Sequence, residues 1–193
     1  SLKELDIGRS YWAVMQKNNL GSITLSNLTP QPKILEFSKF FSMDLEILKK
    51  AVENAKESPF NSFKQEVLNK LAGSLDRNEF WLWTNVLLSM QQGVYTLPFR
   101  YDEKEHLLQL RKRAAKDVLD FYAVFPNLGE IDGVIKQFQS ELFLELRVQF
   151  PTVRQALLQS ANELKGVIIS KIEVEKNITP LYEFNNALLD LKG

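Results

Sequence analysis

Apolar side chains recur at steps of three and four along most of this chain, the spacing of one face of an α-helix. Start and stop signals punctuate the steps. Ser1 with Glu4 caps a first predicted helix carrying Leu2, Leu5, Trp12 and Met15, weakened by Gly8 and ending before Gly21. The polar stretch GSITLSNLTPQP, with Pro30 and Pro32, reads as a loop containing one short extended piece. Leu35, Phe37, Phe40 and Phe41 begin a turn or two of helix. Ser42 then starts a segment that aligns Leu45, Leu48 and Val52. Ser58-Pro59 is a strong start, because proline at the first helical position loses no needed donor. Phe60, Phe63, Val67 and Leu71 follow, and Gly73 stops them.

The pattern continues to the carboxyl end. Asp76 with Glu79 forms a capping box for a helix with Phe80, Trp83, Leu87 and Met90, closed by Gly93. VYTLPFRY reads as a connector. Asp102 with Glu105 opens a helix through Leu107, Leu110, Ala114, Val118, Phe121 and Phe125. Asn127 with Glu130 opens another through Ile131, Ile135, Phe138, Leu142 and Leu146. Pro151 and Thr152 restart the period for Val153, Leu157, Ala161, Leu164, Ile168 and Ile172. Thr179-Pro180 begins a last helix with Leu181, Phe184, Leu188 and Leu191.

These segments predict an all-α fold, a compact bundle of about seven or eight helices joined by short loops. Residues 1–193 form a single helical domain in this reading, with residues 127–177 as its long hairpin. Two stretches alternate at period two instead: LELRVQF at residues 144–150 and KIEVE at residues 171–175. They define the alternative, an α+β fold with a small peripheral sheet. The three-and-four spacing runs through both from longer stretches and favours helix. No repeat at solenoid periods is visible.

Composition narrows the chemistry more than the fold. Lys plus Arg and Asp plus Glu number 24 each, so no global field points to nucleic acid or an anionic membrane. One histidine and no cysteine exclude disulfides and zinc sites of the usual Cys/His kind. No cofactor is expected. No apolar run reaches the roughly 18–20 residues of a membrane span, since Thr84 and Asn85 interrupt the most hydrophobic stretch. A soluble protein is expected, cytoplasmic by default, with no visible signal peptide. The start at Ser1 rather than Met suggests a fragment of a longer chain or a tag remnant.

His106 is the one imidazole on which acid–base or ligand chemistry can draw. Glu103 and His106 form an ExxH pair, which on a helix aligns a carboxylate and an imidazole as in carboxylate-bridged metal bundles. Glu141, Glu145 and Glu163 are the acids available to complete such a site, although a capping role also accounts for Glu105. Arg100 precedes His106 with five residues between them. That pair resembles the Arg–His motif of HEPN-type ribonucleases, with Tyr101 where members carry a small polar residue. The resemblance implies a small dimeric helical domain in which the arginine binds phosphate and the histidine serves in RNA cleavage.

Other candidates read more simply as surface. Arg111, Lys112, Arg113 and Lys116 span more than one helix face beside Asp102, Glu103 and Glu105, as on a solvated face. The pairs Glu141/Glu145 and Glu173/Glu175 are surface acids on the same reasoning. Gly129 and Gly133 form a GxxxG spacing that has no special meaning outside a membrane. No phosphate-binding glycine loop or nucleophile elbow is present.

What remains is the aromatic stretch FWLWTNVLLSM. Phe80 and Trp83 extend the Leu87/Met90 stripe, while Trp81 and Leu88 lie on a second apolar face. Tryptophan is enriched at interface hot spots, so Trp81 and Leu88 are the expected partner-binding residues. Phe143 and Leu144 add apolar area off the stripe of their own predicted helix. The expected function is a non-catalytic helical interaction, adaptor or effector domain that binds a protein or itself. Nucleic acid is not an expected partner. The alternatives are a ribonuclease using Arg100 and His106, or a metal-binding carboxylate bundle.

Overall fold

A computed structural model describes residues 5, 7, 10–19, 21–32, 35, 43–44, 59–113 and 117–184. The architecture is mostly β, and it replaces the predicted helical bundle. Among the described residues, strand β1 (Tyr11–Lys17) pairs with β2 (Ile23–Pro30) as a separate antiparallel hairpin. The main sheet has seven strands in sequence order: β3 (Met43–Asp44), β4 (Tyr95–Tyr101), β5 (Lys104–Lys112), β6 (Val118–Phe125), β7 (Gly129–Phe138), β8 (Glu141–Val148) and β9 (Val167–Val174). Strands β4 to β8 form an antiparallel meander, and the two outer pairs, β3/β4 and β8/β9, are parallel. The small peripheral sheet proposed from residues 144–150 and 171–175 is likewise corrected. Those stretches fall on β8 and β9, which pair with each other inside the large sheet.

Three α-helices accompany the strands: α1 (Pro59–Gly73), α2 (Arg77–Gln91) and α3 (Pro151–Ser160), the last followed by a 3₁₀ turn at Ala161–Glu163. Local signals in the sequence mark their starts. Pro59 is the first residue of α1. Asp76 caps α2, its carboxylate accepting the backbone N–H of Asn78 at 2.7 Å and of Glu79 at 3.3 Å. Pro151 opens α3, which supplies the crossover that a parallel β8/β9 pair requires. Strand β9 begins where the predicted continuation of that helix would have run.

The helix predicted over residues 102–125 is absent for a reason visible in the sheet. Strands β5 and β6 lie in the sheet interior with both faces covered, so apolar residues occupy successive positions, as in LLQL and FYAVF. A continuous apolar run always contains a subset at three-and-four spacing, and that subset mimicked a helix over residues 102–125. The β-branched and aromatic content of VLDFYAVF favours the pleated form. Asp102 and Glu103, at φ 51° and 56°, form the two-residue reverse turn between β4 and β5 rather than a helix start. Likewise Asn127 and Glu130 do not cap a helix: Asn127 is in the β6/β7 turn and Glu130 is on β7. Residues 11–17 of the first predicted helix are β1. The predicted elements at residues 36–42 and 45–58 lie outside the described residues, as do Leu188 and Leu191. Thr179 to Phe184 form no helix.

The pleat places alternate residues on opposite faces of the sheet, and each face has its own core. Leu107, Tyr122 and Val124 pack with Phe63, Val67, Trp81, Trp83, Val86 and Ile178. Phe121, Ala123, Ile131, Leu146 and Val148 pack with Val153 of α3 and Ile172 of β9. No helix among the described residues is long and apolar enough to cross a membrane.

Candidate functional site

The sheet register separates Arg100 from His106. Arg100 stands opposite Glu105, while His106 stands opposite Phe99, so the two side chains leave opposite faces. Arg100 donates to Glu105 at 3.0 Å. His106 is buried, stacks on Phe99 with ring centroids 5.1 Å apart, and its Nε2 lies 3.1 Å from the Tyr101 carbonyl oxygen. That oxygen only accepts, so Nε2 donates to it. An arginine and a histidine on opposite faces share no phosphate.

The helical alignment behind the ExxH pair is also absent. Glu103 is in the β4/β5 turn, Glu141 opens β8 at the surface, Glu145 pairs with Lys136, and Glu163 is in the 3₁₀ turn. Among the described residues no group of three His, Asp or Glu side chains is placed to hold a metal ion. In the basic cluster, Arg111 and Arg113 converge on Asp120, Lys112 is exposed, and Lys116 lies outside the described residues.

The partner-facing assignment of Trp81 is corrected, since α2 buries it together with Trp83 of the other stripe. Trp81 is 1% exposed and meets the Phe184 ring edge-on at 5.7 Å, whereas Phe80, assigned to the core, is 51% exposed. Leu88 is half-buried. When a helix is apolar on two faces, period alone does not tell which one turns inward. Phe143 and Leu144 lie on opposite faces of β8, with Leu144 packed against the second core.

The structure brings together a different set of residues. A cavity of about 440 Å³ lies above the first face, bounded by Thr29 and Pro30 of β2 and by the segment from Lys176 to Phe184. Its floor comes from the sheet: Leu107 and Gln109 on β5, Tyr122 on β6, Glu130 on β7, and Gln149 just beyond β8. Gln109 fastens the bounding segment to that floor. Its Nε2 donates to the Tyr182 carbonyl at 3.0 Å, and its Oε1 accepts the Tyr182 backbone N–H at 3.1 Å. Both polar ends of a buried side chain are therefore satisfied. The Tyr182 hydroxyl reaches Asn85 Oδ1 of α2 at 3.4 Å.

Glu130 is the chemical centre of the cavity. The Tyr122 hydroxyl donates to its Oε1 at 2.6 Å, and Gln149 Nε2 donates to its Oε2. The Glu130 backbone N–H returns a bond to Gln149 Oε1 at 3.1 Å. Burial pushes the Glu130 carboxyl above its ordinary value. The bonds from Tyr122 and Gln149 oppose that rise, and the neighbouring Asp132 charge adds to it. Burial and the Glu130 charge together push the Tyr122 phenol far up.

The other buried acids on this face are paired with arginines. Asp120 is held by Arg111 at 3.2 Å and Arg113 at 2.6 Å. Asp132 accepts from Arg147 Nε at 2.8 Å. Among the described residues Glu130 has only neutral donors. Its significance was hidden in the sequence, where it read as the acid of a capping box. The available signal was polar Tyr122, Glu130 and Asp132 interleaved with apolar residues that β-pairing, not helix, would bring to one face.

No protein-family model, curated protein or solved structure matches this chain.

Proposed function

We propose that this chain is a non-catalytic binding module that recognises a protein partner through the cavity floored by Tyr122, Glu130 and Gln149. The observation that supports it is the cavity's setting. It is an open, mixed polar and apolar hollow of about 440 Å³, within the usual range for recognition pockets, bordered by the base of a hairpin. Trp12 packs that hairpin against the core. Met15, Ile23 and Leu25 stand 67%, 61% and 58% exposed on one face of it. Exposed apolar side chains beside a polar hollow suit an extended partner better than a small solute.

The polar groups of the cavity are committed to holding its shape. Glu130 and Gln149 bond reciprocally, Gln109 is consumed by Tyr182, and the Tyr122 phenol is too weak an acid to give up its proton near neutrality. Binding without turnover is the chemistry such a set supports.

The test uses Asn177→Trp, which places a large ring at an exposed position on the cavity rim. Wild type and variant are compared by affinity capture from extracts of the source organism, followed by mass spectrometry. At least one protein is expected to be held by the wild type and lost by the variant, with circular dichroism unchanged. Identical captured sets would refute the proposal.

A further inference from the structure

We infer that the cavity takes a cationic group, the ammonium or guanidinium of a lysine or arginine side chain carried on an exposed segment of the partner protein. The inference rests on the binding-module reading and adds its chemistry. Three buried or half-buried acids of β6 and β7 stand on one face of the sheet, Asp120, Glu130 and Asp132, while Glu105 and Glu145 on the same face are held by Arg100 and Lys136. Two of the three are already paired, because Arg111 and Arg113 neutralise Asp120, and Arg147 neutralises Asp132. Glu130 alone of the three opens onto the cavity, and it has no ion-pair partner among the described residues.

Removing a carboxylate from water without a counter-charge is costly, and a bound cation relieves that cost. The charged groups around Glu130 support this. Asp132 lies beside it on β7, with its arginine directed to itself. Glu183 adds a second carboxylate at the rim, against one lysine, Lys176. Tyr122 and Gln149 already donate to Glu130, so they orient its carboxylate without neutralising it. A cation on a long apolar stem also matches the walls, since Leu107, Ile178 and Pro180 line the way to the carboxylate. The hairpin whose base borders the cavity carries exposed Met15, Ile23 and Leu25 further along its strands, a surface that an extended partner segment can follow and a free amine would not use.

The experiment titrates the intact chain, observed by amide chemical shifts, with acetyl-Ala-Ala-Lys-Ala-Ala-amide and its arginine and norleucine counterparts, and separately with putrescine. The basic peptides are expected to shift the Glu130, Gln149 and Asn177 amides, and Glu130→Gln is expected to weaken them by about tenfold or more. Affinity for the basic peptides is expected to rise with pH as Glu130 loses its proton, a dependence the Gln variant lacks. The wild-type pH profile keeps the test open even if that variant folds poorly.

Equal shifts with norleucine would overturn the inference in favour of apolar recognition. Binding of putrescine without the peptides would overturn the protein source, and silence from all four would overturn the cation itself. A natural partner lost by Asn177→Trp yet kept by Glu130→Gln would refute the cation while leaving the binding module standing.

Discussion

Replacing Gly133 with alanine probes the packing of the sheet where its two central hairpins meet. Gly133 pairs with Phe121 on β6 and Leu146 on β8. A Cβ built on it would lie 2.1 Å from the Glu145 carbonyl oxygen and 2.9 Å from Phe121 Cε1. Ordinary contact begins at 3.4 Å, so the backbone carbonyl must retreat by more than an ångström. Strands held about 4.8 Å apart do not give that distance without losing local ladder bonds. Overpacking costs about 1–3 kcal/mol, and each ladder bond lost adds about 1 kcal/mol. The smaller unfolded-state entropy of alanine returns about 0.4–1 kcal/mol. A net loss of about 2–4 kcal/mol is expected.

With a slope of about 2 kcal/mol per molar, the urea midpoint falls by about 1–2 M, read from the fluorescence of the buried Trp81 and Trp83. Phe121→Ala in the same chain is not expected to restore stability, because the closest clash is with backbone. Gly73→Ala, with open space around its Cβ in a helical conformation, is the matched control and is expected to stabilise by about 0.4–1 kcal/mol. A Gly133→Ala midpoint within about 0.25 M of wild type would refute the strand register on which the cavity depends.

The other expectations follow from burial and charge. Trp81→Glu places an unpaired carboxylate in the core and is expected to cost more than about 4 kcal/mol, seen as loss of cooperative thermal unfolding; a folded variant would restore a surface role. Glu130 has a folded-state pKa above its ordinary 4.5, so the folded chain holds that proton longer and wild type loses stability as pH rises through this window. Glu130→Gln removes that slope, and parallel stability–pH curves for the two proteins would contradict the assignment. Asp120 behaves oppositely. Burial raises its pKa, but bonds from Arg113 and Arg111 outweigh burial and hold it below 3.8, so its contribution, full above that pH, is lost as pH falls through the depressed value. Asp120→Asn flattens the acid limb of the stability curve, and an unchanged limb would count against it. RNA incubated with wild type and with His106→Ala is expected to remain equally intact; cleavage that depends on His106 would reopen the nuclease reading.

Three helix starts were legible because each depends on chemistry within a few residues. Pro59, Asp76 and Pro151 open their helices through a missing donor or a capping oxygen, yet the same signals at Asp102, Asn127 and Thr179-Pro180 open none. The alternating strings around Leu144–Val148 and Lys171–Val174 were equally local, and both became strand. The interior strands gave no such mark. Once both faces of a strand are covered, its polar positions disappear, and LLQL or FYAVF satisfies two periods at once. Arg100 and His106 illustrate the consequence at a site. Their spacing matches a short motif, but the register of the β4/β5 hairpin sends them to opposite faces.

Taken alone, the sequence determined the absence of thiol and multi-histidine chemistry and the balance of charge, and it marked, among other candidate starts, the three that became helices. Pairing between distant segments decided the rest: which apolar runs became strands, which face of α2 turned inward, and that Tyr122, Glu130 and Gln149 meet beneath Tyr182. Caps and composition belong to one stretch of chain. A cavity belongs to several, and its residues acquire a common chemistry only when the ladder bonds of the sheet bring them to the same face.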